Sequence, residues 1–306
     1  MKERFADEEG IGVVDETGFL KKGTHSVGVQ RQYSGTAGKV ENCQVGTFLS
    51  YSTRRGHVFL DRRLYLPEAW STDPARRAQS KVPEAVRFQT KPEQGAEMLK
   101  HAWAQSLPRR WVVGDEVYGE STLLRDTIRA RGCGYVLAIR GNTQVWKPKA
   151  PGVTPAGQLG GVAAVVASWP ASYWQRLEVA PGEKGPRCYD WAYQRVRGSH
   201  EGDFGPWVWL LACRSTSKDT ELAYFLAYAS AETPLLTLAQ VAASRYTVEQ
   251  CIEEAKGETG LDEYGGRYWH SWYRHMTLSM MAHAWLAFIR AKSQEKKKVQ
   301  SPFLLN

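Results

Sequence analysis

Two short apolar runs that each end on an aspartate, I-G-V-V-D at residues 11–15 and W-V-V-G-D at 111–115, constrain this chain more than any other feature. Short apolar runs bounded by turn formers predict buried strands. Strands of one sheet can bring side chains 100 positions apart, here Asp15 and Asp115, next to each other. A strand ending on Asp presents its carboxylate at the sheet edge, although one such residue alone is an ordinary turn former. A pair, with a third acid to follow, is a set of hard oxygen donors. Such a set suits Mg²⁺, which keeps several of its waters and leaves room for a phosphate.

The surrounding pattern predicts a layered α/β architecture. Strand-like runs at 44–51 and 57–66 flank T-R-R-G, a hairpin connection. A polar, Arg-rich connection over 71–90 leads to Thr90 and Glu93, which form a T-x-x-E capping box with Pro92 in the first turn and announce a helix over 93–105. A helix over 121–131 stops at Gly132, and G-Y-V-L-A-I makes a strand over 134–139. The order β-β-β-α-β-α-β predicts a mixed sheet flanked by helices. Gly and Pro then cluster at 150–161, and Trp- and Tyr-rich β-like pieces follow to Ala229. The expected division is therefore a core first part over 1–139, a β-rich insertion over 140–237, core helices over 238–292 and a basic tail over 293–306. In the last helix, Ser271–Lys292, a stripe of Leu278, Met281, Ala282, Trp285, Phe288 and Ile289 is expected to pack in the core.

The third acid comes from R-Y-T-V-E-Q-C-I-E-E-A-K at 245–256. At about 100° per residue, Arg245, Glu249 and Lys256 share one helix face, so a carboxylate is flanked by two cations. That arrangement serves phosphoryl transfer, with Glu249 on a metal and the cations on phosphates. It also describes an ordinary salt-bridged helix face. Glu253, one turn beyond Glu249, is the rival. Glu16 and Glu116 follow the aspartates and, in a strand, point the other way.

A charge of 40 − 32 = +8 favours a polyanion as partner. Lys21, Lys22 and Arg31 follow the first acid and are candidates to touch DNA phosphates. The five cysteines contain no C-x-x-C pair and the seven histidines show no metal spacing, so reduced thiols and no zinc knuckle are expected. With no run of eighteen apolar residues and no signal-peptide stretch, the expectation is a soluble cytoplasmic protein with no membrane partner.

The segments V-V-D-E-T-G-F-L-K-K-G, V-V-G-D-E-V-Y-G, R-Y-T-V-E-Q-C-I-E-E-A-K-G-E-T-G-L-D and W-Y-R-H-M-T-L-S-M-M-A-H-A, in that order, resemble the DDE transposases of bacterial insertion sequences. More narrowly, the chain is similar to the group with a tyrosine-arginine-glutamate-lysine signature around the third acid. The resemblance implies a ribonuclease H-like core, often with a β-rich insertion. It implies Asp15, Asp115 and Glu249 as catalytic metal ligands, and Arg245 and Lys256 as the signature cations. Ala242 stands where the signature tyrosine is expected, three residues before Arg245. The implied cofactor is a pair of Mg²⁺ ions, replaceable by Mn²⁺, and the implied partners are transposon ends, target DNA and a second copy of the chain on DNA. Fourteen residues precede Asp15 where such proteins usually carry a DNA-binding region. The expectation is thus a catalytic region deficient in end recognition. Two alternatives stay open: a non-catalytic DNA-binding remnant that inhibits a full-length relative, and another nuclease of the same fold.

Overall fold

A computed structural model describes residues 5–108, 110–147, 157–180, 185–200, 203–215 and 222–300. Most of the Gly- and Pro-rich cluster and the last six residues of the basic tail lie outside them. Along the chain come β1 (Ile11–Leu20), β2 (Gln30–Ser34), β3 (Lys39–Thr53), β4 (Gly56–Tyr65), α1 (Glu68–Ser71), α2 (Pro74–Gln79) and α3 (Lys91–Ala104). Next are β5 (Trp111–Gly114), α4 (Glu116–Gly119), α5 (Thr122–Ala130), β6 (Gly134–Ile139), β7 (Gln144–Lys147), β8 (Gln158–Gly161) and α6 (Val162–Ala167). The remainder is β9 (Gln175–Ala180), β10 (Arg187–His200), β11 (Asp203–Ser215), β12 (Leu222–Tyr228), α7 (Leu235–Ala243), α8 (Tyr246–Thr259) and α9 (Trp269–Gln300). They divide into two compact units, residues 1–109 with 246–306, and residues 110–245.

In the first unit β3 is the organiser. It pairs antiparallel with β1 (Asp15 opposite Phe48, Thr17 opposite Gly46), with β2 through its first five residues and with β4 through the rest. Neighbouring residues of a strand point to opposite faces, and the contacts identify both. Thr47 Oγ1 donates to Gln94 Oε1 of α3 at 2.9 Å, while Gly46 lies under Phe19 and Trp272 of α9. One face of this sheet therefore carries α3, and the other carries α8 and α9. The capping box at Thr90 and Glu93 is present, with both reciprocal bonds made, and fixes the start of α3.

The second unit is a mixed sheet. β5 and β6 are parallel, and β12, β11 and β10 continue from β6 as antiparallel neighbours. β10 also pairs with β7 and β9, and β7 pairs with β8. Val136, Leu137, Trp191, Val196, Leu210 and Leu226 are buried in it.

Two expectations need correction. The connection over 71–90 contains helix α2, capped by Asp73, whose carboxylate accepts from Arg76 N at 2.9 Å, with Pro74 in its first turn. The apolar stripe of the last helix is not core: Leu278, Met281 and Trp285 are 60%, 63% and 63% exposed, and Ala282 and Ile289 are exposed with them. α9 instead turns Trp272, Met276, Ser279, Met280, His283, Ala284 and Ala291 inward. Several of these are small, which lets a helix lie close against β4 and α8. Phe288 does join a cluster, with Phe5, Tyr51, Val58 and Ala291.

Candidate functional site

β1 is twice as long as its apolar run suggests, so Asp15 sits in the middle of a strand and not at its end. The run continues because T-G-F-L resumes the alternation, with Thr17 and Phe19 buried. Asp15 is 9% exposed, and its Oδ1 accepts from the Glu16 amide at 2.8 Å. Since Asp15 and Thr17 are two apart, both point to the sheet face that carries α8. Glu16 points to the α3 face, where Lys91 Nζ meets its carboxylate at 2.6 Å. A carboxylate oxygen of Glu16 nonetheless lies within 4.8 Å of one of Asp15.

α8 brings its residues to the same face. Lys256 Nζ donates to Thr17 Oγ1 at 2.9 Å and to Thr36 Oγ1 at 3.2 Å. This tether turns the helix face of Glu249, Glu253 and Lys256 toward β1. Glu249 is half-buried in the first turn of α8, and Glu253 is exposed. Burial pushes the Lys256 ammonium below the usual lysine range, partly offset by the charges of Asp262 and Glu253. Thr17, Thr36 and Lys91 had no sequence signal of their own, except that Thr17 follows Asp15 at the strand period of two.

The DNA-contact candidates differ. Lys21 is tucked against the Tyr264 carbonyl, with its ammonium 5.2 Å from that ring's centre, and burial lowers its pKa. Lys22 and Arg31 are exposed, Arg31 on β2.

Asp115 and Arg245 belong to the second unit. β5 stops at Gly114, and Asp115 is the N-cap of α4, its carboxylate accepting from Val117 N at 2.9 Å. The cap sits at the carboxyl end of a fully buried strand. Gly119 then lets α4 lie on β6, because a Cβ there would run into the Ala138 carbonyl oxygen. Arg245 is not on the helix face of Glu249: α7 ends at Ala243, α8 starts at Tyr246, and Arg245 lies in the turn between. The helix face expected over 245–256 therefore begins only at Tyr246. Ala242 is buried in α7, and Tyr246 is the exposed first residue of α8.

Comparison with known proteins gives three findings. A family described as "DDE superfamily endonuclease" matches residues 1–172. The "Probable transposase for insertion sequence element IS701" of Microchaete diplosiphon is 30% identical over 137 residues, 44% of this chain and 33% of that relative. The matched part thus spans about a third of the relative's length. The crystal structure of the NurA nuclease from Sulfolobus solfataricus aligns with a TM-score of 0.34 at 8% identity, over 84% of this chain and 86% of that one.

Proposed function

This chain belongs to the DDE superfamily endonucleases, and on that premise we propose that it is the catalytic region of an insertion-sequence DNA transposase. The observation that carries the reading is the convergence of Asp15, Thr17 and the Lys256 face of α8 on one face of the first unit's sheet. In this reading Asp15, Asp115 and Glu249 hold two Mg²⁺ ions, or Mn²⁺ in their place. The donor set fits: all three are carboxylates, and hard cations prefer oxygen. When bound, the metal supplies Lewis acidity to a phosphoryl oxygen and a nucleophilic oxygen at neutral pH.

The chain's own residues do the rest. Lys256, held by two hydroxyls, places positive charge beside the Asp15 face, where an incoming phosphate would need it. Arg245, Lys22 and Arg31 neutralise phosphates of the bound strands, and the net charge of +8 assists without reading sequence. Lys21, already bonded to Tyr264, orders the segment after β1. We assign the first unit and β5–β6 to a ribonuclease H-like core, residues 140–237 to an insertion, and the DNA-bound form to a homodimer.

The test is cleavage and joining on duplexes carrying the DNA that flanks the reading frame, with Mg²⁺ or Mn²⁺. Expected are strand cleavage that exposes a 3′-hydroxyl and its joining to a target plasmid, both abolished by Asp15→Asn, Asp115→Asn or Glu249→Gln. Cleavage that survives all three substitutions overturns the site. Cleavage without joining makes the protein a nuclease of the family and not a transposase.

A further inference from the structure

A second group of donors lies on the opposite side of α8 from Glu249. Cys251 and Glu254 are two and five residues beyond Glu249, at about 200° and 500° around the helix, so both turn away from its face. They meet His57 from β4 and His283 from α9. A ligand atom of each of His57, Cys251 and His283 lies within 4.8 Å of the others. Cys251 and His283 are fully buried, and the His57 side chain is 19% exposed. The imidazole rings of His57 and His283 stack at 6.0 Å with 16° between their planes.

The hydrogen bonding leaves one group unexplained. Glu254 Oε2 receives His57 Nε2 at 3.2 Å, His283 Nε2 at 3.3 Å and Arg290 Nη1 at 2.6 Å. His283 Nδ1, buried with the rest of the ring, has no hydrogen-bond partner among the described residues. An orphaned imidazole nitrogen in the interior loses the water bonds it had in the unfolded chain. It is also a lone pair held ready, because a histidine whose other nitrogen is bonded to a carboxylate has its tautomer and ring orientation fixed as metal-binding histidines do.

We propose that His57, Cys251 and His283 form a binding site for a transition-metal ion of the zinc class, with Glu254 orienting both histidines from behind. Two imidazoles and a thiolate suit zinc, and they disfavour Mg²⁺, which seeks oxygen. With bonds of about 2.0–2.3 Å, tetrahedral donors stand roughly 3.3–3.8 Å apart, so donors already within 4.8 Å of one another need close by no more than about 1.5 Å. On binding, the Cys251 thiol releases its proton to solvent and the sulfur–metal bond forms in its place, with no change of oxidation state. The ion would join β4, α8 and α9, and thereby fix the helix that carries Glu249.

The whole chain, freed of metal by chelation and kept reduced without added thiol, is titrated with Co²⁺ as an optical probe. Expected are one equivalent bound, a thiolate-to-cobalt charge-transfer band, its displacement by Zn²⁺ and its persistence in excess Mg²⁺. Cys251→Ser should abolish the band. His283→Gln should weaken Zn²⁺ binding by more than the about 10–100-fold that losing an outer partner such as Glu254 costs. Glu249→Gln should leave the band in place. Should either variant fail to fold, zinc-edge X-ray absorption on the unmodified chain, read for one sulfur and two nitrogen donors, decides the matter. A folded chain with no thiolate band and no sulfur donor on zinc overturns the proposal, as does a band that survives in Cys251→Ser. None of these measurements depends on DNA cleavage, so their failure leaves the carboxylate site untouched.

Discussion

The Lys256 ammonium bonds the Thr17 hydroxyl at 2.9 Å, and Thr17 stands two residues from Asp15 on the same face of β1. α8 is therefore fastened to the strand that carries the first acid by a group that is itself charged. Lys256→Met keeps the aliphatic stem and removes the charge. The expected outcome is a folded protein whose metal-dependent cleavage falls at least tenfold, about 1.4 kcal/mol of transition-state stabilisation. Rates compared alongside thermal melting separate this from a loss of fold, and an unchanged rate would remove Lys256 from the site.

Glu249 and Glu253 are one turn apart on the Lys256 face of α8, but only Glu249 is half-buried. Glu249→Gln should eliminate cleavage while Glu253→Gln retains most of it, in Mg²⁺ and in Mn²⁺ alike. The opposite ranking would move the third acid to Glu253.

Gly119 is where α4 touches β6, four residues after Asp115. Gly119→Ala should destabilise the protein by about 1–3 kcal/mol through overpacking, read as a lower denaturant midpoint. The added methyl pushes the turn capped by Asp115 off the strand, so cleavage should fall further than stability alone explains.

Tyr135 on β6 is buried, and burial pushes its phenol up to about 12 from the usual 10.0. The folded state therefore holds this proton where the unfolded state releases it. Its contribution to stability is fully present below pH 10 and is lost as pH rises toward 12. Burial also raises the phenols of Tyr65, Tyr264 and Tyr273, so ultraviolet titration should show several late-ionising tyrosines, one of which is absent in Tyr135→Phe. The phenylalanine variant should lose less stability than the parent between neutral pH and pH 12.

Local signals were legible where the chemistry is local. The T-x-x-E box and the run at 134–139 coincide with the observed capping box and with β6. β2 was not legible, because Q-R-Q-Y-S has no apolar alternation and becomes a strand only by pairing with β3. The break at Arg245 was hidden for a related reason: Ala242, Ser244 and Arg245 are all tolerated in helices, so nothing in their propensity marks the turn. The α9 stripe points to the wrong face because more than one arc of that helix is apolar, and proximity to β4 favours the arc with alanines. Of the carboxylates, the residue types were plain in the sequence. Their setting was not: Asp15 is mid-strand, and Asp115 is a helix cap. His57, Cys251 and His283 have no motif spacing, since only the folded chain brings β4, α8 and α9 together.

β3 sets the register of three neighbours at once, and this governs which changes of chain length the protein can inherit. A single residue inserted within Cys43–Ser52, where β3 pairs with β1, would shift that ladder by one. The β3 side chains on one side of the insertion would turn to the opposite face, breaking contacts such as Thr47 with Gln94 and Gly46 with Trp272. An insertion at the exposed Arg54–Arg55 turn only lengthens a loop. Descendants of this chain can therefore vary freely in the hairpin, while β3 itself must keep its length and accept only substitutions.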